Sequence, residues 1–343
     1  MKPQNSILLL LLFAFILLPG FLVAQCCGVG GGNPMAGDAS RGVIMQGQTE
    51  VALYYQGSRS DRFMSGTEKD TGFMKKFTSD YLYARLAYGL NERVTLGAEF
   101  GWWMDKTQHG LPNRNTYSSG GPGDLILYPR FNLIKPSVAN KFNELTLGLG
   151  FKIPIGSYSD SIGLYEPFSG ETFYSIMPPA VQASSGANDV LFNLFWSAPL
   201  RPEGIRLTSN VLYILKGWNP LGEKLGNYFS LGLFGSQTIA NHLFGALQLR
   251  YEWIGRMQVN PDVLMMSFPN YDPEATGSRK LFIGPQLSYS PIDVLTLFVQ
   301  AEFPLYQNVR KTQLASQHQW TIGLSYRQMK KATAVINPAR SLP

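Results

Sequence analysis

Twelve side chains in this sequence could line a polar interior: Tyr83, Arg85, Glu99, Asp124, Tyr128, Arg130, Lys152, Arg250, Glu252, Gln300, Glu302 and Arg327. Each falls on the polar side of a stretch that alternates with apolar residues. Both charge signs are present. A ring of one sign would act as a charge filter, and none is visible. Mixed signs suit either cross-strand ion pairs or the wall of a polar passage.

Residues fit for covalent chemistry are few. The chain has three histidines, His109, His242 and His318. A hydrolase triad needs a His within reach of a nucleophile, and no His-x-Ser pattern occurs at any of them. Asp105 precedes His109, in what reads as a loop. Cys26 and Cys27 are the only cysteines. This adjacent pair is open to a vicinal disulfide, a bond to a partner, lipidation, a soft metal or an inert role. Lipidation normally wants a small residue before the cysteine, and Gln25 stands there. Two thiols without a nearby His make a weak metal signal. No phosphate-cradling loop or zinc spacing occurs, so no cofactor and no enzymatic activity are expected. The basic residues are scattered, which gives nucleic-acid binding no support.

The elements that must position the twelve residues follow a period of two. Along Val94–Trp102, Val94, Leu96, Ala98, Phe100 and Trp102 oppose Thr95, Gly97, Glu99 and Gly101. Along 144–155, odd-numbered apolar residues from Leu145 to Ile155 oppose Thr146, Gly148, Gly150 and Lys152. Along Leu243–Trp253, Leu247, Leu249, Tyr251 and Trp253 oppose Gln248, Arg250 and Glu252; along 294–305, Leu295, Leu297, Val299, Ala301 and Phe303 oppose Thr296, Gln300 and Glu302. Successive side chains of a strand point to opposite faces, so each segment has one greasy wall and one polar wall. Twelve such segments are predicted: 44–57, 78–89, 93–104, 123–134, 144–157, 188–198, 205–216, 227–239, 243–256, 279–290, 294–306 and 318–328. The sixth to eighth are less regular. Phe195, Leu212 and Ile214 fall on the side expected to be polar.

The chain has 343 residues, of which 15% are charged, 45% hydrophobic and 13% aromatic. Soluble domains average about 25% charged residues. Met1–Ala24 carries Lys2, then the apolar run Ile7–Leu18, then small residues up to Ala24. That is the form of a secretory signal peptide cleaved after Ala24. Beyond it no stretch reaches the roughly 18 apolar residues that a spanning helix needs. Connectors alternate between short (90–92, 135–143, 199–204, 240–242, 291–293) and long (58–77, 105–122, 158–187, 217–226, 257–278, 307–317). Short turns at one end and long loops at the other are the habit of outer-membrane barrels. The expected fold is therefore all-β: a transmembrane antiparallel up-and-down β-barrel of about twelve strands, with ten to fourteen left open. The expected layout is signal peptide 1–24, a Gly-rich lead or plug 25–43, the barrel 44–328 and a periplasmic tail 329–343. Tyr55, Tyr88, Trp102, Trp103, Trp196, Trp253, Tyr289 and Tyr326 are the expected interfacial aromatics.

Three stretches carry a family resemblance: the lead Cys26–Pro34, the strand-turn-strand Tyr83–Phe100, and Gly121-Pro122-Gly123-Asp124-Leu125-Ile126-Leu127 at the opening of the fourth strand. Together they resemble the transporter-like barrels of the MetA pathway of phenol degradation family. That resemblance implies an outer-membrane channel assisting uptake of small aromatic or hydrophobic compounds. It carries over no catalytic residues, and it makes Asp124 a structural residue at the strand mouth. The expected partners are outer-membrane lipid and a small solute, with self-association open. The alternative is a structural or partner-binding barrel acting through the long loops 158–187 and 257–278.

Overall fold

The computed structural model describes residues 42–328 apart from 73, 112–115, 138, 140–142, 201–203 and 262–271. The signal segment 1–24, Cys26, Cys27, most of the lead and the tail 329–343 lie outside the described residues.

Twelve antiparallel strands close on themselves. They are β1 (Thr49–Ser60), β2 (Lys76–Gly89), β3 (Val94–His109), β4 (Thr116–Leu127, resuming as Arg130–Ile134), β5 (Glu144–Ile153), β6 (Asp189–Pro199), β7 (Arg206–Leu215), β8 (Tyr228–Ala240), β9 (Leu243–Ile254), β10 (Ser278–Ile292), β11 (Leu295–Leu314) and β12 (His318–Gln328). Each pairs with its sequence neighbour, and β12 pairs back onto β1 from Thr49↔Gln328 to Arg59↔His318. Closure removes the edges, so every strand finds ladder partners inside hydrocarbon that can supply none. The break in β4 falls at Pro129, which has no N–H to give. Pairing continues across it, because the Tyr128 amide donates to Gly97 O at 2.7 Å and the Leu149 amide to Pro129 O at 3.0 Å.

The outside is the greasy wall. Leu53, Leu86, Leu96, Phe100, Leu149, Phe151, Leu194, Leu233, Leu297 and Ile322 are all exposed. The inside is polar and buried, with Glu50, Arg85, Glu99, Arg130, Thr146, Gln248, Arg250, Gln300 and Glu302 among its residues. This inversion is stable only with hydrocarbon outside, where each outward Leu or Phe gains about 1.5–3 kcal/mol by leaving water. Among the described residues no helix is long and apolar enough to cross a membrane. Tyr88, Trp102, Trp196, Tyr289 and Tyr326 stand exposed on the outer face.

Three sequence expectations need correction. Trp103 is not an interfacial residue: it shares the parity of Thr95 and Glu99, which places it on the inner face opposite Tyr81. Its ring lies 4.2 Å from that of Tyr81, and the ladder shift that follows, between Trp103 and Lys106, turns Lys106 inward. Asp105 and His109 do not lie in a loop, since β3 runs on to His109; β11 likewise continues to Leu314. Beyond the hydrocarbon a strand has no need of a greasy face, so these extensions lack the alternation. Phe195, Leu212 and Ile214 do point inward. Leu212 and Ile214 join Tyr128, Leu191 and Tyr228 in making one stretch of the inner wall apolar.

Candidate functional site

The lumen has two tiers. Toward the short-turn end it is filled with side chains. Glu50 accepts from Arg85 Nη2 at 2.8 Å and from Arg327 Nε at 2.5 Å. The Arg85 guanidinium lies 5.3 Å from the Tyr54 ring centre. Tyr54 stacks on Tyr83 at 4.4 Å and 7°, with Phe298 at 5.6 Å. Glu99 is the register partner of Arg85. Gln300 donates to Gln248. The chain before β1 turns into this tier: Arg130 Nη1 donates to Gly42 O at 2.7 Å, the Val43 amide to Glu144 at 3.1 Å and the Ile44 amide to Thr95 Oγ1 at 3.1 Å.

Toward the long-loop end the lumen opens into a chamber of about 270 Å³. One wall carries Phe77, Tyr81, Trp103 and Lys106 from β2 and β3. Facing positions carry Tyr228, Arg250, Lys280, Phe282 and Glu302 from β8 to β11. Arg250 is held by Glu302 at 2.8 and 3.0 Å and by Glu252 at 2.7 Å. Such bidentate pairing fixes the guanidinium plane. Lys280 lies 3.8 Å from Glu252 and donates to Ser316 Oγ at 3.0 Å.

A strap from the loop between β5 and β6 covers the chamber. Met177, Val181, Gln182, Ala183, Ser184 and Ala187 are all buried. Its grip on the wall is a row of charges across four strands. Lys152 meets Asp124 at 2.5 Å and Asp189 at 3.1 Å, and Lys216 meets Asp189 at 2.9 Å. Ser184 donates to Asp124 at 2.5 Å, while Lys152 donates to Ser185 Oγ at 2.6 Å. Lys106 Nζ donates to Gln182 O at 2.6 Å. Above the strap, Phe63, Met74, Phe77, Leu111, Tyr117, Met177 and Val181 form an apolar cluster that ties the long loops together.

All twelve residues singled out in the sequence therefore lie on inward-facing positions. Asp124, Lys152, Arg250, Glu252 and Glu302 gather around the chamber or its strap. Tyr83, Arg85, Glu99, Tyr128, Arg130, Gln300 and Arg327 belong to the filled tier. Phe77, Tyr81, Lys106, Lys216, Lys280 and Phe282 were missed. Tyr81 shares its parity with Tyr83 and Arg85, and Phe282 shares its own with Lys280, so the period of two pointed to both. Of the histidines, only His318 borders the chamber. His242 sits in the β8–β9 turn with φ 66°, and His109 Nε2 is 3.4 Å from Thr78 Oγ1. Among the described residues no cluster of His, Cys, Asp or Glu could hold a metal ion.

Closed strands, an apolar exterior and a polar, charged interior define a transmembrane β-barrel. No family model matches the sequence, and no curated protein matches it. Solved structures do. An outer membrane channel from Pseudomonas putida F1 is 16% identical, covers 85% of this chain and 98% of its own, and superposes with a TM-score of 0.59. The β domain of the Bordetella autotransporter BrkA is 10% identical over 82% of this chain and 99% of its own, at 0.47. A Pseudomonas aeruginosa FadL homologue is 10% identical over 90% and 98%, at 0.44. At 16% identity the first match shows a shared fold; the other two superpose more loosely.

Proposed function

We propose that the chain is an outer-membrane channel for small solutes, of the transporter-like kind that its sequence resembles, with the chamber as the place where solute is held. The observation that carries this is a water-accessible cavity of about 270 Å³ inside a membrane-spanning cylinder. It combines aromatic rings with charged groups, as a site for small aromatic or hydrophobic compounds would. In this reading the long loops face outward and the short turns face the periplasm. Of the lead 25–43, Gly42 and Val43 are described, and their bonds to Arg130 and Glu144 favour the plug form over a free lead. The test is purified protein in planar bilayers and in liposomes. Conductance with uptake of single-ring compounds supports the reading, and the absence of both refutes it.

One observation favours the partner-binding alternative. The hairpin Ser161–Glu166/Glu171–Ile176 carries exposed Tyr165, Phe168, Phe173 and Tyr174, a large aromatic patch of the sort that marks contact surfaces. Deleting it should abolish surface binding under that alternative and leave permeability unchanged.

A further inference from the structure

The outer wall over β9, β10 and β11 is graded in three rows. Its outward residues pair across the strands as Leu249, Ile283 and Phe303, then Tyr251, Leu281 and Tyr306, then Trp253, Arg279 and Asn308. The first row is apolar and the second carries two phenols. The third carries hydrogen-bond donors with a cation at its centre. None of these residues is a carboxylate.

The height of the third row follows from the strand. Ten residues separate Arg279 from Tyr289 on β10, and Tyr289 is exposed on the outer face at the short-turn end. At ~3.3 Å per residue and a tilt of about 40°, the two lie ~25 Å apart along the barrel axis, the height of the lipid-facing band of an outer-membrane barrel. Tyr289 and Trp253 thus mark the two interfaces, and Arg279 stands with Trp253 at headgroup level on the long-loop side.

Arg279 is exposed there. A guanidinium carries five N–H donors in a fork that matches a phosphate, so neighbours that take some leave others. Asn308 Nδ2 gives one hydrogen to Tyr306 Oη at 3.3 Å and keeps a second. In the loop before β10, Asp272 and Glu274 are engaged by Lys311 at 2.6 Å and Arg256 at 2.7 Å. Arg59, outward near the same end of β1, is closed by both oxygens of Asp80 at 2.7 and 3.0 Å.

We propose that this wall is a docking site for a phosphorylated, multi-acyl glycolipid of the outer leaflet. Its acyl chains lie on the rows of Leu249 and Tyr251, and one phosphate sits between Arg279 and Asn308. Continuity with the lipid-facing wall selects a lipid as the occupant, and a cation among donors selects an anionic head. The site goes beyond the channel reading and shares with it only the outward direction of the long loops.

The test is native mass spectrometry of the full-length folded protein in detergent. It is titrated with diphosphorylated lipid A and with the same lipid stripped of its phosphates, and inorganic phosphate is added as competitor. The diphosphorylated lipid should bind at least about tenfold tighter than the stripped one, the value of one charge-assisted hydrogen bond, and inorganic phosphate should not displace it. Arg279→Gln should erase the preference. Asn308→Asp, which sets a carboxylate beside Arg279, should do the same. Arg279→Lys should keep part of it, which excludes a mere folding defect, and Arg59→Gln should leave it intact. Equal affinity for the two lipids overturns the proposal, as does a preference that survives Arg279→Gln, an equal loss in Arg59→Gln, or displacement by inorganic phosphate. Loss of a dimer in Arg279→Gln with lipid binding unchanged also overturns it, because the wall would then join two copies of the chain. Conductance and uptake play no part in this titration, so its failure leaves the channel reading standing, and a barrel that conducts nothing leaves the lipid site standing.

Discussion

Replacing Lys152 with methionine tests the grip of the strap. In the parent, Lys152 and Lys216 balance Asp124 and Asp189. The variant leaves that row with one net negative charge in a place where the Asp189 side chain is 0% exposed and that of Lys152 only 9%. Removing one partner from a buried pair costs about 3–5 kcal/mol. The lower end applies, because Asp189 keeps Lys216 and the Gly217 amide at 3.1 Å, and Asp124 keeps the Ser184 hydroxyl. Stability should fall by about 3 kcal/mol, roughly a 150-fold change in the folding equilibrium. The strap loses separately. The Lys152–Ser185 bond is charge-assisted, worth about 1.5–3 kcal/mol, so the ratio of closed to open strap drops by about ten- to 150-fold. Urea unfolding in lipid vesicles reads the first effect, and single-channel recording reads the second as longer or larger openings. Adding Asp124→Asn restores the charge balance without restoring the bond to Ser185. The double variant should regain most of the stability and keep the raised conductance. An unfolding free energy within about 1 kcal/mol of the parent, together with an unchanged trace, would refute the claim that these charges hold the strap.

Three further outcomes are expected. Arg250→Met leaves Glu252 and Glu302 buried beside Lys280 and should cost about 3–5 kcal/mol; adding Glu302→Gln should recover part of this, seen as a coupling of about 0.5–3 kcal/mol in urea unfolding. Leu249→Arg, on the outward face of β9, should cost up to about 2–4 kcal/mol if it meets the bilayer midplane, whereas Thr146→Ser on the inner wall of β5 should cost far less in the same assay. At the short-turn end, Lys135 Nζ lies 2.5 Å from Glu92. Its hydrogen bond and charge hold the Glu92 carboxyl below the usual carboxylate range. A group with a lowered folded pKa contributes above its unfolded value and stops contributing as pH falls through the folded one. Carboxyl NMR titration should show the Glu92 midpoint rising in Lys135→Met, with only a small loss of stability near neutral pH, because the pair is exposed.

The strands were legible wherever the two faces of a strand meet different solvents. Hydrocarbon outside and polar side chains inside impose a period of two, and β3, β5, β9 and β11 carry it nearly unbroken. Legibility failed where that contrast fails. Leu212 and Ile214 blur β7 because the inner wall there is itself apolar, and the far ends of β3 and β11 lose the pattern because both faces are wet. The strap was invisible for a different reason. Its residues Ser184 and Ser185 are specified by Asp124 and Lys152, 60 and 33 positions away, and no local pattern encodes a partner at that distance. Lys106 was hidden by the bulge after Trp103, where one extra residue reverses every later side chain, whereas Trp103 itself keeps the parity of Glu99.

The same physics separates the tiers. A buried ion pair must recover a desolvation cost of several kcal/mol per ion, which demands short, saturated contacts. Arg85 and Glu50 meet that demand between β1 and β2, Arg327 of β12 reaches Glu50 from a partly exposed position, and the Tyr54–Tyr83 stack fills what they leave. Nothing as large as a ring passes such a packed layer without moving it. In the upper tier Arg250 is saturated by two carboxylates, and Lys106 ties the wall to the strap through the Gln182 carbonyl. The lower tier is therefore built to hold the barrel's register, and the upper tier to hold the strap. If solute crosses, the step that limits it is the rearrangement of side chains around Tyr54 and Arg85, and substitutions there should alter flux more than they alter equilibrium binding in the chamber.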